Sequence, residues 1–322
     1  MNRKHHYRLS RKTALGRSLL ELMISIAIGL IVIAAALAIY STATSSSRVS
    51  ESESRLNENA AISLGLLQQQ IRLASYSSVV GSSTYSIRKN FNDPGVSGCT
   101  GGFNGTTTVA FNAIACLNDS TKSDSLSVRY EADTANTIPV NTPPAPSSCT
   151  GESISATSPS SATSTRAGAV TLPNYALADN RYYVTTGPSG GPELYCVGAT
   201  GVNAAGVTTF GTPQPLMEGV ESMKLSFGVA DAAAGTITTA YMTAQSIDTQ
   251  FAAEPDRWKR VLTVRVCLLM RNLESSDKAQ KAAISTTSSY YDCDNASQTS
   301  TDGYLRRSYT STVLLKNRIP IL

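Results

Sequence analysis

The chain has 322 residues, with 27 Lys+Arg against 23 Asp+Glu, a formal net charge of +4 and 41% hydrophobic residues. That length suggests about two domains, and the apolar content suffices for a packed core, so wholesale disorder is excluded. The positive charge on its own would suggest nucleic acid or an anionic surface. However, Arg3, Lys4, Arg8, Arg11 and Lys12 all fall in the first 16 residues, which hold no acid. Without those five the remainder carries 22 basic against 23 acidic residues, a formal −1, so charge gives no support to nucleic-acid binding.

After Gly16 the sequence turns apolar, and Leu22 to Ile39 is an uncharged run of 18 residues. As a helix it would be about 27 Å long, enough with its flanks to cross a hydrocarbon core of about 30 Å. The basic flank stays cytoplasmic by the positive-inside rule, which sends the rest of the chain outward. One reading is a secretory signal cleaved at Ala34-Ala35-Ala36, but the apolar run exceeds the usual length of roughly 7–15 residues and continues through Leu37 and Ile39. A second is a plain signal anchor. Neither accounts for Glu21, because an isolated carboxylate within an apolar span costs a few kcal/mol unless it sits at headgroup depth. The segment Gly16-Arg17-Ser18-Leu19-Leu20-Glu21-Leu22-Met23 resembles the class III signal of type IV prepilins. That resemblance implies cleavage after Gly16, N-methylation of Arg17, and pairing of Glu21 with a neighbouring subunit's terminal ammonium to set axial register. Arg17 departs from the Phe, Met or Leu usual at that position, which implies slower processing.

No proline or glycine follows the apolar run directly, and the Ser/Thr-rich stretch Ser41 to Ser47 is where a continuing helix is expected to bend or melt. Leu56, Ala60, Leu64, Leu67, Ile71 and Ala74 then recur at helical spacing on one face. Beyond Tyr76 short β-type runs replace the helical period: Leu126–Tyr130, Arg181–Thr185, Glu193–Val197, Met223–Val229, Leu262–Met270 and Ser311–Leu315. The Gly187-to-Pro192 stretch between the second and third of these is a hairpin signal. Residues 141–168, rich in Ser, Thr and Pro, read as a surface insertion or flexible loop.

Several of these segments are similar in order to PilW-type minor pilins. They are Arg55–Ala60 and Leu67–Tyr76 in the helix, Asp124–Tyr130, Met217–Val229, Trp258 with Val264–Arg271, and Leu305–Arg318 at the close. The resemblance implies an α+β, pilin-like fold, with a long N-terminal helix packed on an antiparallel β-sheet. Its parts would be a leader at 1–16, a membrane and assembly half of the helix at 17–40, an amphipathic half at 41–76 and a β-rich domain at 77–322. It implies a minor subunit that primes type IV pilus assembly in a tip complex. The implied partners are other minor and major pilins, the prepilin peptidase, the inner membrane and a tip adhesin. The chain would sit in the inner membrane with its C-terminal domain periplasmic, and later in the pilus. The alternatives are a minor pseudopilin of a type II secretion system and a secreted adhesive protein.

Enzyme chemistry finds little footing. His5 and His6 are the only histidines, and their place in the leader leaves a processed chain without His-based catalysis or His-ligated metal. Gly101-Gly102-Phe103-Asn104-Gly105 lacks the lysine and spacing of a phosphate loop. No cofactor or metal is expected. Asp292, Asp294, Asn295 and Asp302 around Gly303 read as a solvated loop, since an EF-hand spacing is missing. The six cysteines, Cys99, Cys116, Cys149, Cys196, Cys267 and Cys293, include no C-x-x-C pair, and in an exported chain they favour disulfides. Fifteen pairings are open. Proximity suggests Cys99–Cys116 and Cys267–Cys293 with Cys149–Cys196 remaining; a buried free thiol at Cys267 is the alternative.

Overall fold

A computed structural model describes residues 18–83, 86–91, 93–105, 108–109, 111, 114–159, 174–232, 235–272 and 288–318. The chain divides into two compact units, 1–50 and 51–322. One α-helix, α1 (Leu19–Leu73), runs from the first unit into the second. The Ser/Thr stretch, expected to bend or melt, does not melt: it is helical throughout. Ser41 and Thr42 donate to the Ala38 carbonyl at 2.9 and 3.0 Å, and Thr44 to those of Tyr40 and Ser41, both at 2.9 Å. Bonding back to i−3 and i−4 carbonyls satisfies the hydroxyls without taking N–H groups from the helix ladder.

In the second unit the helix buries Ser52, Leu56, Ala60, Ser63, Leu67 and Ile71, with Ala74 just beyond its end. This is the expected stripe, except that Ser63 takes the fully buried place and Leu64 is half-buried. Ser63 is tolerated because its hydroxyl donates to the Asn59 carbonyl at 2.7 Å.

The rest is antiparallel sheet. A small hairpin, β1 (Val79–Ser83) with β2 (Ser86–Lys89), precedes the larger sheet. That sheet holds β3 (Val96–Cys99), β4 (Ser125–Ala132), β5 (Ala176–Thr186), β6 (Pro192–Val202) and β7 (Thr208–Phe210) in spatial order, with β8 (Gln214–Glu218) also on β6. The β5–β6 hairpin closes through the glycine-rich loop, where Gly187 N–H donates to the Gly191 carbonyl at 2.8 Å. A second sheet follows, built from β9 (Val220–Val229), β10 (Ala240–Met242), β11 (Val261–Arg271) and the last strand, β14 (Arg306–Leu314), in the order β10-β9-β11-β14. Between β10 and β11 lie the short helix α2 (Ala244–Gln250) and a 3-10 turn at Arg257–Arg260. Between β11 and β14 sits the hairpin β12 (Ser288–Tyr291) and β13 (Ser297–Ser300).

Strand alternation sends Leu126, Val128, Tyr130 and Ala132 from β4, and Val264, Val266, Leu268 and Met270 from β11, into one core shared with the helix stripe. The opposite face of β4 and β5 is buried too, and it is polar. There Asp179 accepts from Arg181 Nε at 3.1 Å, from Arg181 Nη2 at 3.0 Å and from Ser127 Oγ at 3.0 Å, while Arg181 stacks on Phe210. Such a pair is tolerated in the interior because both charges are hydrogen-bonded.

The two sheets meet where β4 begins. Asp124 N–H donates to the Met223 carbonyl at 2.7 Å, and its carboxylate accepts from Gly101 N–H at 2.9 Å and Leu225 N–H at 2.8 Å. Burial raises the Asp124 pKa against the lowering effect of these bonds. Gly98 leaves room there for the Phe227 ring of β9. In the Ser/Thr/Pro-rich region, residues 141–159 are held by bridges from Ser147 to Ser153 and from Ser158 to Tyr175, with Ile154 buried. The remainder of that region, 160–168, lies outside the described residues.

Candidate assembly interface

The first unit offers one chemistry. Ser18 caps α1 by accepting from Leu20 N–H at 3.3 Å, and Ser25 returns its hydroxyl to the Glu21 carbonyl at 2.7 Å. Within the helix an 18-residue window has a mean hydropathy of 2.9 and none of it is buried. Large apolar side chains from Leu19 to Tyr40 are half to four-fifths exposed, among them Leu19 at 80% and Ile24 at 51%. A soluble helix shows such residues on one stripe; one that is apolar all round requires lipid or other helices around it. Glu21 stands in its first turn and is the only charged residue between Ser18 and Ser47. It makes no ion pair among the described residues. Gly16 and Arg17, the expected processing positions, lie outside the described residues.

In the second unit the helix is fixed to both sheets by polar anchors beside its apolar stripe. Gln68 Nε2 donates to Ser311 Oγ on β14 at 2.8 Å. Gln70 Oε1 accepts from Asn180 Nδ2 of β5 at 2.9 Å and from the Tyr130 hydroxyl of β4 at 3.2 Å. Burial drives the Tyr130 phenol up to about 12, outweighing the bonds from Gln70 and Asn180. Near the top of this segment Asn57 accepts from the Tyr309 hydroxyl, and at its end Asn317 donates to the Arg72 carbonyl at 2.8 Å. Nothing in the sequence singles out Asn57, Gln68 and Gln70, because a polar residue beside an apolar stripe ordinarily faces water. Geometrically, then, one helix presents an all-apolar segment with a single carboxylate, and its continuation is locked to a sheet domain.

Residues 181–317 match the family model of Type IV Pilus-assembly protein W. That match covers 137 of the 322 residues, about two fifths of the chain. No curated protein and no solved structure matches the chain. The PilW match begins in β5 and ends just after β14, so it takes in the whole second sheet. This partial match and the apolar N-terminal helix are together the pattern of a structural, pilin-like protein related to type IV pilus assembly. Among the described residues no group of three or more His, Cys, Asp or Glu is placed to hold a metal ion.

Three disulfides close the sheet domain: Cys99 with Cys116, Cys149 with Cys196, and Cys267 with Cys293. The first ties the end of β3 to the segment that follows it, and the second ties residue 149 to β6. Inside the matched region the third ties β11 to the β12–β13 turn. The acidic cluster near that turn is occupied with internal bonds. Asp292 accepts from Asp294 N–H at 3.0 Å, Ala296 N–H at 2.9 Å and Gln298 Nε2 at 2.7 Å. Asp302 grips Arg306 with both oxygens, at 2.8 and 2.7 Å, and Arg306 reaches on to Glu221 at 2.5 Å. The bidentate Arg306 bond holds the Asp302 carboxyl well below the usual carboxylate range. These contacts clamp the β12–β13 hairpin and its following turn to the second sheet.

Proposed function

We propose that this chain is a minor pilin that primes type IV pilus assembly within a tip complex of other minor pilins, beneath a tip adhesin. Before assembly the helix anchors it in the inner membrane, with the sheet domain in the periplasm. Cleavage after Gly16 frees Arg17, whose methylated ammonium heads the processed chain. Glu21 then serves as the register group: among apolar helices a carboxylate without a cationic partner is penalised by a few kcal/mol, so subunits settle where it meets a neighbour's terminal ammonium. The observation that carries this reading is the exposed apolar half of the helix, with one carboxylate in its first turn, in a chain whose residues 181–317 match the PilW family model. Three disulfides suit an oxidising compartment and support export of the sheet domain.

The test is Glu21→Ala in the full chain, with pili counted and the variant quantified in sheared pilus fractions. The variant is expected to be processed and membrane-anchored yet to drop at least about tenfold in the pilus fraction, the equivalent of losing about 1.4 kcal/mol of selective pairing. Wild-type incorporation of the variant would remove the register role.

A further inference from the structure

Among the described residues, every sheet edge but one ends in a short strand. The edge strands β10, β7 and β3 have 3, 3 and 4 residues, and β8 on β6 has 5. β14 has 9 residues and pairs with β11 over nine successive positions without a bulge. The phase of that ladder is set at its two ends, where Asn272 N–H donates to the Leu305 carbonyl at 3.1 Å and Leu315 N–H to the Leu262 carbonyl at 2.8 Å. In an antiparallel pair, alternate residues of a strand direct both backbone groups to the same neighbour. Odd-numbered residues from 305 to 315 therefore face β11, and Arg306, Ser308, Thr310, Thr312 and Leu314 point their N–H and C=O groups away from it. Among the described residues β11 is the only strand that pairs with β14, and Tyr290 of β12 packs on Arg306 at one end. A long, regular edge of this kind is a template for another strand, and proteins ordinarily shorten, bulge or cover it.

The charge pattern says which strand. Residues 305–318 contain Arg306, Arg307, Lys316 and Arg318 and no acid. Arg306 is already neutralised by Asp302 and Glu221, but two copies pairing antiparallel would still set Arg307 of one near Lys316 of the other, and parallel pairing would stack like on like, which is repulsive. Arg307 is 52% exposed and shares Glu53 only at 4.0 Å, while Lys316 is exposed and makes no ion pair among the described residues.

We propose that β14 is completed in the working assembly by an extended strand from a different protein chain, one carrying acidic side chains that lie beside Arg307 and Lys316. Affinity would come from the ten outward backbone groups and selectivity from the charges at either end. The Ser/Thr character of β14 keeps the edge soluble until that strand arrives.

Hydrogen exchange on the full chain, first alone in detergent micelles and then in assemblies captured from the cell envelope, tests this. Alone, the amides of Ser308, Thr310, Thr312 and Leu314 should exchange at least about tenfold faster than those of Tyr309, Ser311 and Val313, and in the assembly they should slow by about the same factor. Thr310→Pro deletes one outward N–H and leaves the β11 ladder intact; with an unchanged unfolding midpoint it should lower capture of the partner about tenfold, whereas Thr310→Ala should not. Lys316→Glu should weaken capture to a similar degree. The proposal is overturned if the outward amides still exchange freely in the assembly or if Thr310→Pro assembles like wild type. Wild-type capture by Lys316→Glu would overturn the acidic partner, and a dimer of the isolated chain abolished by Thr310→Pro would put a second copy on the edge instead. Protection of β14 in an assembly that contains no pilus protein would keep this inference and defeat the minor-pilin reading.

Discussion

Gly98→Ala should destabilise the sheet domain at the seam between its two sheets. A Cβ at position 98 would stand 2.6 Å from Phe227 Cζ and 3.0 Å from Phe227 Cε2. The ring must shift, and it has little freedom: Phe227 is fully buried and packs edge-on against Trp258 with centroids 5.0 Å apart at 87°. Overpacking of this size costs about 1–3 kcal/mol. Trp258 is the only tryptophan in the chain, so urea unfolding of the full chain in detergent, followed by its emission, reads the seam directly. The expected result is a lower midpoint at unchanged slope, with altered native emission. Phe227→Leu removes the offending Cζ, so the double variant should be more stable than the sum of the two single losses predicts, by about 1 kcal/mol or more. A midpoint within about 0.5 kcal/mol of wild type, or strict additivity in the double variant, would refute the packing argument.

Three further outcomes are expected. Burial pushes Tyr130 and Tyr175 up to about 12, and raises Tyr182 well above the ordinary value of 10.0. The stability tied to their neutral form is complete below pH 10 and is lost as the pH rises toward 12, so absorbance at 295 nm should show a late step that coincides with unfolding. Asp302, held low by Arg306, contributes stability above its unfolded value of 3.8 that is lost as the pH falls below it; Asp302→Asn should remove that acid sensitivity and speed amide exchange in β12 and β13. Replacing Cys267 and Cys293 together by Ser opens a link spanning 26 residues and should cost about 2–4 kcal/mol in the urea midpoint.

The sequence made the long helix and the principal strands visible because each carries a regular apolar period. Val264, Val266, Leu268 and Met270 alternate along β11, and Leu56 to Ala74 keep helical spacing. β7 and β10, three residues each, are too short to show any period. The start of β5 was hidden for another reason: Ala178-Asp179-Asn180 looks like a turn, and only the tertiary pairing of Asp179 with Arg181 and Ser127 buries it in a strand. Division into two sheets was equally illegible, since it depends on contacts of Asp124 and Gly98 with residues a hundred or more positions away. At the interface, Glu21 stood out because a charge in an apolar run has an evident cost. The anchors Asn57, Gln68 and Gln70 gave no comparable signal, because a polar residue beside an apolar stripe ordinarily faces water.

The central claim is that the apolar helix is an assembly stem released by prepilin processing. Mass spectrometry of the N-terminal peptide, from chain purified out of the envelope, tests it most directly. The account predicts a first residue of Arg17 bearing an N-methyl group, with Glu21 fifth in the processed chain. A chain beginning at Leu37, or one that assembles with residues 1–16 still attached, would contradict it.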